Sequence, residues 1–278
     1  MKSLGLLGLV TGVLLLTALV SPWAAWGLGP RYTFARVFDR VFEISLVAGV
    51  LLCWRALDLG DAAAMGFRRC GWARAFATGA AIGVAGVSVG LALCGLFGAL
   101  TPALRFDPGK TLHKAVLGLA AALAIGAGEE ALFRGVVLRR LRRDVGPAAG
   151  VAVTTAVYAA VHVIRRRGSA VVLHAGSGFE QLVGLLAPLA DVAVLPELVG
   201  LAFLGAVLAA ARLRAGTLWL PIGIHAAFVA AFRVGRLFFR IGSEPAWLVG
   251  TGWPPLMGGI GGWVAVAVTA GLVLRQTR

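Results

Sequence analysis

Leu117-Gly-Leu-Ala-Ala-Ala-Leu-Ala-Ile-Gly-Ala-Gly-Glu129-Glu130-Ala-Leu-Phe133-Arg134-Gly135 is the stretch on which both fold and chemistry turn. Its first part is apolar without interruption, as a helix crossing hydrocarbon must be. It then carries Glu129, Glu130 and Arg134. Each ionisable side chain inside a membrane helix costs about 2.5–3.5 kcal/mol on insertion scales, so their presence needs a reason. Glu129 and Glu130 project about 100° apart on an α-helix, which reads as two separate tasks. Glu130 and Arg134 stand at i and i+4, where they pair on one face and offset each other's burial. Glu129 points to another face. Gly118, Ala122 and Gly126 form a stripe of small residues beside it, permitting close approach of a neighbouring helix.

Outward from that stretch the same apolar character recurs. The chain has 278 residues, 59% hydrophobic and 14% charged, a balance that a fully solvated surface does not have. Hydrophobic segments fall at roughly 3–20, 38–57, 75–100, 115–138, 148–165, 196–211, 216–232 and 256–274. The expected fold is all-α: a polytopic membrane protein of about eight transmembrane helices in a single bundle. Residues 1–58 would form an N-terminal hairpin, 59–235 the core, and 236–278 a loop and last helix, all within one integral membrane domain. A β-barrel is excluded, because its strands would alternate polar and apolar residues. The stretch 168–196 is broken by Gly176, Gly178, Glu180, Pro188 and Asp191 and reads equally as loop, interfacial helix or re-entrant segment.

The net charge of +14 does not mark a nucleic-acid binder. The basic residues sit in short clusters between apolar runs: Arg68-Arg69, Arg139-Arg140 with Arg142-Arg143, Arg165-Arg166-Arg167, and Arg212 with Arg214. That placement suits lipid headgroups and topology signals. Trp23 and Trp26 read as an interfacial belt after an anchor helix. An even helix count with Lys2, Arg275 and Arg278 puts both termini in the cytoplasm, although Lys and Arg counts in the loops nearly balance. Cys53, Cys70 and Cys94 form no metal or disulfide pattern. Arginine over lysine, abundant alanine and glycine, and no asparagine suggest a bacterial inner-membrane protein.

The neighbour of that small-residue stripe is the next helix, Thr154-Thr-Ala-Val-Tyr158-Ala-Ala-Val-His162, which carries a second titratable group and is joined to the first stretch by the tight connection Arg143-Asp-Val-Gly-Pro147. Glu129 and His162 are equidistant from the middle of that connection. In antiparallel helices rising 1.5 Å per residue they reach the same depth. A third lies in Leu218-Trp-Leu-Pro-Ile-Gly-Ile-His225. A carboxylate and two histidines can activate water and stabilise an oxyanion. They can equally ligate zinc with an open position. The residues leave both open: no cofactor, or a zinc ion on Glu129, His162 and His225.

The run Glu129-Glu130-x-x-Phe133-Arg134-Gly135, then Tyr158-x-x-x-His162 and a later His225, resembles the CPBP family. That family includes type II CAAX prenyl endopeptidases and bacteriocin-processing relatives. The loop Met65-Gly-Phe-Arg-Arg-Cys-Gly-Trp72 resembles it as well, and the likeness covers roughly residues 60 to 235. It implies an intramembrane endopeptidase acting on a membrane-associated protein or peptide within the bilayer, with no nucleic-acid partner. Glu129 and His162 would activate water, His225 would bind the oxyanion, and Glu130, Arg134 and Tyr158 would support them. One departure stands out: the family's His-x-x-x-Asn has Val229 in place of the Asn. The rival reading is an inactive or weak homologue serving as scaffold or bacteriocin-immunity protein. HExxH and Gly-x-Gly-Asp signatures are absent, and His174-Ala-Gly-Ser-Gly178 reads as loop rather than a serine-protease element.

Overall fold

Apolar sequence becomes helix wherever it runs long enough, because in hydrocarbon every backbone N–H and C=O must be satisfied within its own segment. The computed structural model describes residues 2–164, 173–251 and 256–276. The arginine run 165–167 and the opening of the 168–196 stretch lie outside the described residues.

The helices are α1 (Lys2–Leu28), α2 (Phe34–Leu52), the one-turn α3 (Ala62–Met65) and α4 (Trp72–Leu96). Then follow α5 (Pro108–Glu130), a π-helical segment (Ala131–Val137), α6 (Leu138–Val145) and α7 (Pro147–Ile164). The remainder are α8 (Ser177–Gly184), α9 (Leu195–Ala215), α10 (Trp219–Val234), the short α11 (Ala246–Val249) and α12 (Ile260–Arg275). Two short strands, β1 (Leu100–Pro102) and β2 (Phe239–Ile241), pair antiparallel with Leu100 opposite Ile241. The sequence reading contained no strand.

Among the described residues, six helical stretches are long and apolar enough to cross a membrane: Ser3–Arg31, Trp72–Leu96, Pro108–Val145, Pro147–Ile164, Val192–Ala215 and Trp219–Leu237. Leu112, Val116, Leu117, Leu119 and Leu123 stand exposed on α5, as do Val84, Val89 and Leu96 on α4. A soluble monomer rarely exposes so much contiguous apolar surface. The protein is an all-α, polytopic, integral membrane protein. The expected count of eight spans is not reached by that measure. The 38–57 segment forms α2, which carries Arg36, Asp39, Arg40 and Glu43, and the 256–274 segment forms α12, only 16 residues long.

The chain divides into two compact units, residues 1–60 with 160–192, and residues 61–159 with 193–278. In the first, α1 and α2 form an antiparallel hairpin in which Gly49 admits the Leu9 side chain. The stretch after residue 173 forms α8, whose Gly178 lies directly against the Ala18 carbonyl of α1. In the second unit α10 is the central helix: Leu220 through Ala226 are all buried. Gly79 and Gly83 of α4 press on its Leu220 and Ile224 carbonyls, and Gly223 of α10 presses back on Phe76 and Ala80. Gly86 and Gly90 continue the same stripe against Thr269, Ala265 and Gly261 of α12. Apolar side chains gain little by leaving lipid for one another, so such backbone-to-backbone approach does most of the packing.

Candidate active site

The site grows from α5. Asp107 caps it, accepting a hydrogen bond from Lys110 N at 2.9 Å, and Pro108 supplies a first turn that needs no donor. The stripe Gly118, Ala122 and Gly126 then faces α10. A Cβ on Gly126 would stand 3.1 Å from Ala226 N and 3.3 Å from Ile222 O, and one on Gly118 would stand 3.1 Å from Val234 Cγ2. The sequence reading gave this stripe to the neighbour in sequence, the helix carrying Thr154 to His162; the structure gives it to α10. The close approach puts Glu130, at the last position of α5, beside His225. From Ala131 to Val137 the helix widens to π geometry and buries Phe133, Arg134, Gly135 and Val136. Such segments recur at functional sites.

Glu130 and Arg134 are fully buried and form an ion pair, Arg134 Nη1 donating to Glu130 Oε1 at 2.8 Å. Arg134 Nη2 donates to the Gly205 carbonyl of α9 at 3.0 Å. Its guanidinium lies over the Tyr158 ring, 4.5 Å from the centroid, and Tyr158 meets Phe133 edge-on at 5.2 Å. A buried arginine is tolerable because carboxylate, carbonyl and aromatic face each offset part of its desolvation. Gly205 fits that geometry: a Cβ there would meet Tyr158 Cδ1 at 3.0 Å.

His225 is almost wholly buried and lies edge-on to Tyr158 at 6.1 Å. Its Nδ1 is 2.9 Å from Glu130 Oε1, and its Nε2 is 3.9 Å from Glu129 Oε2. The two glutamates do point in different directions, but a single imidazole presents a nitrogen to each. Of these side chains Glu129 is the most open, 17% exposed against 3% for His225 and 0% for Glu130. Glu130 Oε2 and Arg134 Nε are buried with no hydrogen-bond partner among the described residues.

The structure thus brings together Glu129, Glu130, Arg134, Tyr158 and His225. His162 lies one turn beyond Tyr158 on α7, within the other compact unit. Val229 sits half-buried one turn beyond His225, and Arg233 a further turn along is exposed. Sequence reasoning named Phe133 in its motif but missed its ring contact with Tyr158, the Gly205 carbonyl and the π segment. A glycine in Leu204-Gly-Ala206 carries no signal that its carbonyl serves an arginine 71 residues earlier.

Among the described residues no group of three or more His, Cys, Asp or Glu side chains is arranged to hold a metal ion. Glu130 Oε1, the carboxylate oxygen nearest the imidazole, is already engaged by a guanidinium.

Residues 111–231 match the family model described as Rce1-like, type II CAAX prenyl endopeptidase Rce1-like. The match begins in α5 and ends in α10, so it takes in Glu129, Glu130, Arg134, Tyr158, His162, Gly205 and His225. No curated protein and no solved structure matches the chain.

Proposed function

We propose, taking residues 111–231 as the type II CAAX prenyl endopeptidase, Rce1-like domain they match, that this CAAX-type intramembrane protease hydrolyses a peptide bond in a leader or C-terminal anchor segment of a membrane-associated substrate. The observation that carries the reading is the imidazole of His225 set between two carboxylates, 2.9 Å from one and 3.9 Å from the other.

Glu130, paired with Arg134, accepts Nδ1–H of His225, which fixes the tautomer and turns the Nε2 lone pair toward Glu129. A separation of 3.9 Å between Glu129 Oε2 and His225 Nε2 suits one water hydrogen-bonded to both. Glu129 takes a proton from that water as its oxygen attacks the carbonyl carbon of the scissile peptide. The tetrahedral intermediate then collapses. The proton passes from Glu129 to the amide nitrogen, the C–N bond breaks, and a carboxylate and an amine leave. His162 enters from its motif, Tyr158-x-x-x-His162, as the second imidazole of the family pattern.

The oxyanion is where this chain departs from its family. Val229 has no donor to offer where the motif has Asn, and loss of one such donor removes about 2.7–4 kcal/mol of transition-state stabilisation. The same residue favours the second reading, a homologue that kept the fold as scaffold or immunity protein and lost the rate. Purified protein incubated with leader and anchor peptides in ¹⁸O-labelled water separates the two. The protease reading requires a new carboxylate carrying one labelled oxygen, and a fall of about 10²–10⁴-fold in Glu129→Gln. Equal cleavage by wild type and Glu129→Gln would overturn it.

A further inference from the structure

One end of the second unit collects arginines from three places in the chain. Arg68 lies in the loop before α4, Arg139 and Arg142 lie on α6, and Arg212 lies in the last turn of α9. Gly135, one turn before Arg139, lies against the Met65 side chain, and Arg68 follows Met65 by three residues, so both basic stretches lead from the turn that Arg212 contacts. Arg212 itself is half-buried beneath the turn that ends α3. Its Nη2 donates to Met65 O at 3.2 Å. Gly66, at φ +112°, leaves the space the guanidinium fills: a Cβ there would come within 2.8 Å of Nη2 and 3.0 Å of Nε. Arg212 Nε is buried and has no hydrogen-bond partner among the described residues. Like charges held together, with a buried donor unspent, are a poor arrangement unless an anion completes it.

The surroundings say which anion. Trp219 donates from Nε1 to Arg68 O at 2.9 Å, and its ring meets Phe67 and Trp72 at 5.5 and 5.4 Å. Trp72 is half exposed. A tryptophan pair between apolar helix flanks and a basic loop marks headgroup depth, and basic pockets between helix ends take anionic headgroups.

We propose that Arg212, with Arg68, Arg139 and Arg142, forms a binding site for the phosphate of an anionic phospholipid headgroup at this end of the molecule. The site is separate from the Glu129–His225 constellation and does not depend on the protease reading.

The test is thermal unfolding of the purified full-length protein in neutral detergent, titrated with short-chain phosphatidylglycerol, phosphatidylcholine or inorganic phosphate. Phosphatidylglycerol should raise the Tm saturably, with the other two weaker. Arg212→Gln should weaken the apparent affinity about fivefold or more, as should Arg68→Gln with Arg142→Gln. Arg105→Gln with Arg240→Gln, away from the cluster, should leave it unchanged. The paired variant decides the matter if Arg212→Gln does not fold. Equal stabilisation by inorganic phosphate would overturn the lipid assignment. Unaltered phosphatidylglycerol affinity in the cluster variants would overturn the site.

Discussion

His225 ties together residues that are far apart in sequence, and its contacts show which parts of the site local spacing can and cannot reveal. The Glu130–Arg134 pair was legible because i and i+4 fix a geometry within one helix turn, and it stands at 2.8 Å. The Glu130–His225 contact, 95 residues apart, was not legible, because no local rule chooses between two membrane histidines. The hairpin spacing set Glu129 and His162 at one depth and said nothing of Glu130 beyond its own helix. Two outcomes follow at this scale. Arg134→Ala should lower stability by about 3–5 kcal/mol, since it strands a fully buried carboxylate. Replacing Glu130 by Gln and Arg134 by Met together should cost much less. Thermal or denaturant unfolding of the single and double variants checks this, and a loss below about 1 kcal/mol for Arg134→Ala would contradict the buried pair. Val229→Asn should raise cleavage if the oxyanion donor is what the chain lacks, measured as initial rate against wild type.

Apolar run length found the long helices, though α1 runs on to Leu28 and α5 starts back at Pro108, yet it did not find their neighbours. Sequential helices usually lie side by side, which is why the stripe on α5 was assigned to the helix after it. What decides the real partner is reciprocal small residues on α10 and α4: Gly223 against Phe76 and Ala80, Gly79 and Gly83 against Leu220 and Ile224. The π segment also escaped, because Ala131 to Val137 has no composition that separates π from α geometry. Gly83→Val would set methyl groups where a bare Cβ already stands 2.7 Å from Ala227 Cβ and 2.8 Å from Ile224 O. It should cost about 1–3 kcal/mol and displace α10 with His225, lowering activity along with Tm. Gly5→Val on α1, where nothing lies within 4 Å, should leave both near wild type. Equal effects from the two would contradict α4–α10 packing as the support of the site.

For the whole molecule, composition alone carried the membrane assignment, but sidedness needed the fold. Counts along the chain balance, whereas contacts gather the basic ends. Arg212 reaches Met65, Trp219 reaches Arg68, and Arg214 donates to the Leu274 carbonyl at the end of α12. By the positive-inside tendency we propose that this end faces the cytoplasm. Cys70, exposed in the same loop, reports on it directly. In a Cys53→Ser background a membrane-impermeant thiol reagent should label Cys70 in inverted vesicles and not in intact cells, and the reverse pattern would place the basic end outside. The central claim is that Glu129, facing Nε2 of His225, activates water for peptide cleavage. It is tested most directly by mapping the termini of membrane proteins from cells carrying wild type or Glu129→Ala, at equal abundance of the two proteins. The account predicts a set of new termini in wild type that vanish in Glu129→Ala. Identical termini in the two strains would contradict it.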